Sequence, residues 1–144
     1  MNREEERRFL IETLLREQSC YGDVQIPKDE NGQRNLLRAL MNVRMPGEAS
    51  RDFLAVQDSY LKRRREEKGV VVLDDMQPSP EGLYLWQGDI TRLGVDAIVN
   101  AANSAMTGCY QPNHTCIDNC IHTFAGVQLR LACAKLMEAQ GHEE

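Results

Sequence analysis

Within the charged segment 2–18, Phe9, Leu10, Ile11, Leu14 and Leu15 recur at helical spacing, which predicts an amphipathic helix with one apolar stripe. A polar connection follows over 21–33, punctuated by Gly22, Pro27 and Gly32. Leu36, Leu37, Leu40 and Met41 repeat the pattern in a second predicted helix that stops near Pro46 and Gly47. Phe53, Val56, Tyr60 and Leu61 carry it in a third, which runs through "LKRRREEK" (61–68) to Gly69. These stripes read as core contacts, so residues 1–69 are expected to form a helical N-terminal extension.

At "GVVVLDD" the period changes. The β-branched run Val70 to Leu73 predicts a short strand, and the segments 83–89 and 96–103 predict two more, separated by the turn-rich 76–82 and one helical turn in "ITRLGV". The third is nearly all apolar through Val99, as in a sheet covered on both faces. A helix is expected over "CIHTFAGVQLRLACAKLMEAQG", with Leu129, Ala132, Cys133 and Leu136 facing inward and Gly141 as its stop. Strand–helix alternation after residue 70 predicts a layered α/β fold.

Composition narrows the possible partners. The chain of 144 residues is 42% hydrophobic and 27% charged, enough for one domain or one domain with a helical annex. A formal charge of −5 argues against nucleic acid, since phosphate neutralisation needs a basic face. Glutamates directly follow the arginines of 61–68, which reads as a solvated helix face. The start "MNREEERRFL" lacks the apolar run of a secretory signal, and no stretch approaches a membrane span. A reducing cytoplasm is therefore the expected setting, where clustered cysteines point to metal or catalysis more often than to disulfides.

Such a cluster exists. "GCYQPNHTCIDNCIH" (108–122) holds three of the five cysteines and two of the three histidines. Cys109, His114 and Cys116 form a C-x4-H-x-C set whose thiolates and imidazole suit zinc. Three ligands would leave a fourth tetrahedral position open. If "CIDNC" is helical, Cys120 lies one turn beyond Cys116 and would instead close a structural site. Just upstream, Asn100 and Asn103 end an apolar run, and Ala101 and Ala102 permit close approach to the backbone; an ordinary turn is the competing reading. Asp89 reads as an acceptor for a ligand or as the cap of "ITRL". Asp118, Asn119 and His122 follow within one helical stretch; Asp118 suits the orienting of a ligand or water and His122 the support of a metal ligand, while each equally suits plain capping or packing.

"QGDITRLGVDAIVNAAN", followed by this ligand loop, resembles the opening of a macrodomain, the ADP-ribose-binding module. The continuation is similar to the zinc-containing macrodomains of bacterial pathogens, in which cysteine and histidine stand where other macrodomains have glycines. The resemblance implies a three-layer α/β/α fold over residues 70–144, of which only the first half is present, preceded by the extension 1–69. It implies one zinc per chain on Cys109, His114 and Cys116. Asp89 would accept from the adenine amino group with Ile90 beside it, and Asn103 would face the distal ribose near Asn100 and Ala102. Asn103 and Asp118 would act at the scissile bond. The implied activity is removal of mono-ADP-ribose from protein side chains, with a lipoylated glycine-cleavage-H-like carrier as a partner beside a sirtuin-class ADP-ribosyltransferase. Two other readings remain open at this point: an ADP-ribose reader with structural zinc, and an inactive truncated piece. Nothing in 1–144 matches the family's second glycine-rich phosphate loop, so this segment alone is expected to bind ADP-ribose poorly.

Overall fold

A computed structural model of the chain describes residues 1–144. Five helices account for nearly half of it: α1 (Arg3–Arg16), α2 (Glu30–Val43), α3 (Arg51–Lys68), α4 (Ile117–Ala125) and α5 (Val127–Gln140). Each of the first three starts on a side-chain cap. The Asn2 side chain accepts from the Glu5 N–H while the Glu5 carboxylate accepts from the Asn2 N–H. Asp29 accepts from Gly32 and Ser50 from Phe53. These contacts satisfy amide donors that a helix start otherwise leaves open.

The expected stripes form the core. Leu10, Ile11 and Leu14 of α1, Leu37, Leu40 and Met41 of α2, and Phe53, Tyr60 and Leu61 of α3 are buried together; Phe9, Leu15, Leu36 and Val56 pack on their edge. Val127 of α5 joins the same cluster. Polar groups tie the later helices to this core. Arg130 donates to the carbonyls of Met41, Asn42 and Arg44, and Asn42 donates to the Thr123 hydroxyl. Inside the extension, buried Glu6 accepts from Ser59 and pairs with Arg63.

The expected α/β layering is absent, and this corrects the sequence reading. The structure contains no sheet, only isolated bridges between Val71 and Leu93 and between Pro78 and Tyr84. The predicted strand at 70–73 makes one of these bridges and turns into a 3-10 turn at Leu73–Asp75; 83–89 and 96–103 stay extended or irregular. The reason is that a strand, unlike a helix, has its backbone partners outside itself. These segments find no neighbouring ladder in the chain. Their apolar side chains consequently face water, Leu85 at 98% exposure and Val99 at 88%.

A second correction concerns the long helix expected over 120–141, which is broken into α4 and α5 at Gly126, where φ is +88°. The side chain of Gln57 reaches across from α3 and its Oε1 accepts from the Val127 N–H at 2.9 Å, capping α5 from outside. The break rotates α5, so that Val127 and Arg130 are buried, whereas Leu136, expected inward, is 70% exposed and Ala132 is exposed too. A Cβ on residue 126 would lie 2.4 Å from Gln57 Nε2. Gly126→Ala is therefore expected to lower stability by about 1–3 kcal/mol, through positive-φ strain and loss of the Gln57 cap. A denaturant midpoint equal to that of the unsubstituted chain would refute this account of the break.

Candidate metal centre

The loop between Gly108 and α4 is fixed from three sides. Gly108 has φ +88° and packs so closely under His122 that a Cβ would stand 2.7 Å from its ring. Asn113 occupies the left-handed region at φ 56°, which asparagine tolerates, and its N–H donates to Asn42 of α2 at 2.9 Å. Asn119 is fully buried beneath the loop. Its Nδ2 donates to the carbonyls of Cys109 (3.3 Å) and Gln111 (3.0 Å), and its Oδ1 accepts from Arg38 of α2 at 2.9 Å. One amide thus ties the loop to both α4 and the helical extension.

This folding gathers the predicted ligands. The donor atoms of Cys109, His114 and Cys116 all lie within 4.8 Å of one another, and Cys109 Sγ stands 3.6 Å from His114 Nδ1. Donors bound to one tetrahedral zinc at ~2.0–2.3 Å stand roughly 3.5 Å apart, so the set fits that ion in chemistry and in spacing. Cys116 is also the cap of α4, its sulfur accepting from the Asn119 N–H at 3.4 Å. Burial pushes the Cys116 thiol up; the Asn119 N–H opposes this, and the neighbouring Cys109 and Asp118 push further upward. Cys120 stays outside the cluster, and its sulfur accepts from Arg38 Nη2 at 3.4 Å.

Asn100, Asn103 and Asp118 come together beside this loop. Asn100 Nδ2 donates to Asp118 Oδ1 at 2.7 Å, and Asn103 Nδ2 donates to the Gly108 carbonyl at 3.3 Å. The Asp118 side chain is only 7% exposed, and His122 Nε2 stands 3.6 Å from the same oxygen. Burial lowers the His122 imidazole below its ordinary value against the pull of Asp118, with Arg130 pushing the same way as burial. The Asn100 Oδ1 is buried without a partner. Ala102, half-buried, lies between the two asparagines.

Asp89 and Ile90 belong to a different neighbourhood. Asp89 caps the 3-10 turn Ile90–Arg92, accepting from the Thr91 N–H and hydroxyl and from Lys68 Nζ at 3.2 Å. Desolvation raises its pKa, but these donors outweigh it and hold the carboxyl below its ordinary value. Asp89 is therefore an ionised acceptor, fastened to the end of α3. Ile90 is half-buried beside it.

Comparison with known proteins shows what this loop is similar to. Residues 99–144 match the macro domain family model. The whole chain aligns, at 58% identity over 148 positions, with 57% of a protein-ADP-ribose hydrolase of Treponema medium. A protein-ADP-ribose hydrolase of Staphylococcus aureus (strain Mu50) is 44% identical over 137 positions, covering 94% of this chain and 51% of that protein. A probable bifunctional ADP-ribose hydrolase/ADP-ribosyltransferase of Fusarium oxysporum f. sp. cubense is 44% identical over 119 positions, 75% of this chain and 20% of its own length. The chain spans about half the length of the hydrolases from Treponema medium and Staphylococcus aureus. No helix is long and apolar enough to cross a membrane.

Two residues that organise this loop, Asn119 and Arg38, are not singled out for that role by their sequence context. Arg38 looks like any exposed helical arginine there, and only the packing of α2 against α4 brings it to the loop.

Proposed function

We propose that this chain carries the zinc-holding and ribose-facing part of a hydrolase that removes mono-ADP-ribose from protein side chains. One observation carries the reading: the Cys109–His114–Cys116 cluster stands beside Asn100, Asn103 and Asp118 within a segment that matches the macro domain model. Zinc held by those three ligands would supply Lewis acidity and an open position for water or substrate.

The chain's own residues do the positioning. Asn119 and Arg38 hold the carbonyls of the loop on which the ligand atoms converge. Asn103 anchors one amide hydrogen on Gly108 and offers its remaining amide atoms to the ribose hydroxyls. The Asp118 carboxylate is engaged by Asn100, so its part is to aim that amide, whose unpartnered oxygen is left to accept from a ligand hydroxyl. Asp89 is assigned to the adenine amino group, with Ile90 against the base and Ala102 leaving room for the ligand along the backbone. The acceptor protein, a lipoylated glycine-cleavage-H-like carrier included, belongs to this proposal.

Joining the chain to the C-terminal remainder of the Treponema medium hydrolase provides the test. The chimera should release ADP-ribose from a mono-ADP-ribosylated protein. Asn103→Ala and Cys109→Ser should each slow single-turnover release by roughly 100-fold with little change in ADP-ribose affinity, because they act at the transition state. Asp89→Ala should mainly weaken binding. Tight ADP-ribose binding with no release would replace the hydrolase by a reader.

A further inference from the structure

A cavity of about 410 Å³ opens between α2, α3 and α4, lined by Arg34, Arg38 and Arg64 together with Met41, Tyr60 and Phe124. The three arginines are not equivalent. Arg34 pairs with Glu30 at 2.6 Å, and Arg64 pairs with Glu67. Arg38 has no carboxylate partner. It donates only through Nη2, to the His114 carbonyl, Asn119 Oδ1 and Cys120 Sγ, all acceptors without a full charge.

The Nε atoms of both Arg34 and Arg38 are buried without any hydrogen-bond partner. An unsatisfied buried donor on a cation is costly, and a cation with no counter-charge adds to that. Apart from Asn31, Asn35 and Thr123, the rest of the wall is apolar or aromatic, which suits a carbon body rather than a hydrated ion. An oxyanion on such a body would supply the counter-charge that Arg38 lacks.

We infer that this cavity is a binding site for a small organic anion, a carboxylate or phosphate on an apolar or aromatic body, with Arg38 as its principal partner. The inference stands apart from the ADP-ribose reading, since Asp89, Asn100 and Asn103 do not line this cavity. Arg38 also holds the carbonyl of His114, so an occupant would touch the metal loop through a single guanidinium.

Titration of the full chain with benzoate and with phenyl phosphate, read from the arginine Nε–H resonances and by calorimetry, tests this. At least one of the anions should bind saturably and shift the Arg34 and Arg38 Nε–H signals, and the tighter one identifies the group the site takes. Asn35 lies on the cavity wall and makes no side-chain contact with the metal loop. Asn35→Asp places a competing carboxylate there and should weaken binding by roughly tenfold, as should Arg34→Gln. Circular dichroism confirms that each variant is folded, and the Arg34 variant serves if the Asn35 variant is not. Absence of a saturable shift with both anions, or an affinity unchanged in the folded variants, would overturn the inference.

Discussion

Replacing Cys109 and Cys116 together by serine is expected to reduce bound zinc from one equivalent per chain to background, while Cys120→Ser leaves it at one. The contrast follows from geometry. The first two sulfurs lie with His114 Nδ1 inside one 4.8 Å cluster, whereas Cys120 is outside it and accepts from Arg38. Two lost thiolates leave a lone imidazole, too little to retain the ion through purification. Elemental analysis of protein purified without added metal reads the result directly. Loss of zinc in Cys120→Ser would mean a closed, structural centre. The pH dependence has a definite sign. Thiols bind zinc as thiolates, and burial holds the Cys116 thiol above its ordinary value, so metal uptake releases protons and weakens as pH falls.

The second large effect is expected at Arg130. Arg130 is 5% exposed, and its guanidinium donates to Thr107 O (2.8 Å), Met41 O (3.1 Å), Asn42 O (2.8 Å) and Arg44 O (2.6 Å), with the Tyr110 ring at 4.2 Å. It closes the open carbonyl end of α2, where a cation is also favoured by the helix dipole. At the same time it ties that end to the segment leading into the metal loop. Arg130→Met keeps the bulk but leaves buried carbonyls without donors, at an expected loss of about 3–5 kcal/mol in unfolding free energy. Chemical denaturation measures it. A loss under about 1 kcal/mol would mean that solvent reaches these carbonyls and that Arg130 is not the link described.

The sequence by itself determined those features whose causes are local. The stripes at 9–15, 36–41 and 53–61 predict helices because an α-helix satisfies its backbone within a few residues, and their apolar faces are the ones that meet in the core. The ligand set at Cys109, His114 and Cys116 was legible for the same reason: residue type and short spacing suffice to bring such donors within reach of one ion. Where partners come from far along the chain, sequence reading failed. Val70–Leu73, 83–89 and 96–103 have strand composition, but a strand depends on neighbours that residues 1–144 do not set beside them. Gly126 breaks the last predicted helix because Gln57, distant in sequence, caps the new start. Arg38, Asn119 and Arg130 acquire their roles only when α2, α4 and α5 pack together, since the carbonyls they serve belong to other segments. Local periodicity and ligand type were written in the order of the residues; which backbone groups lacked a partner, and which side chain reached them, was decided by the tertiary structure.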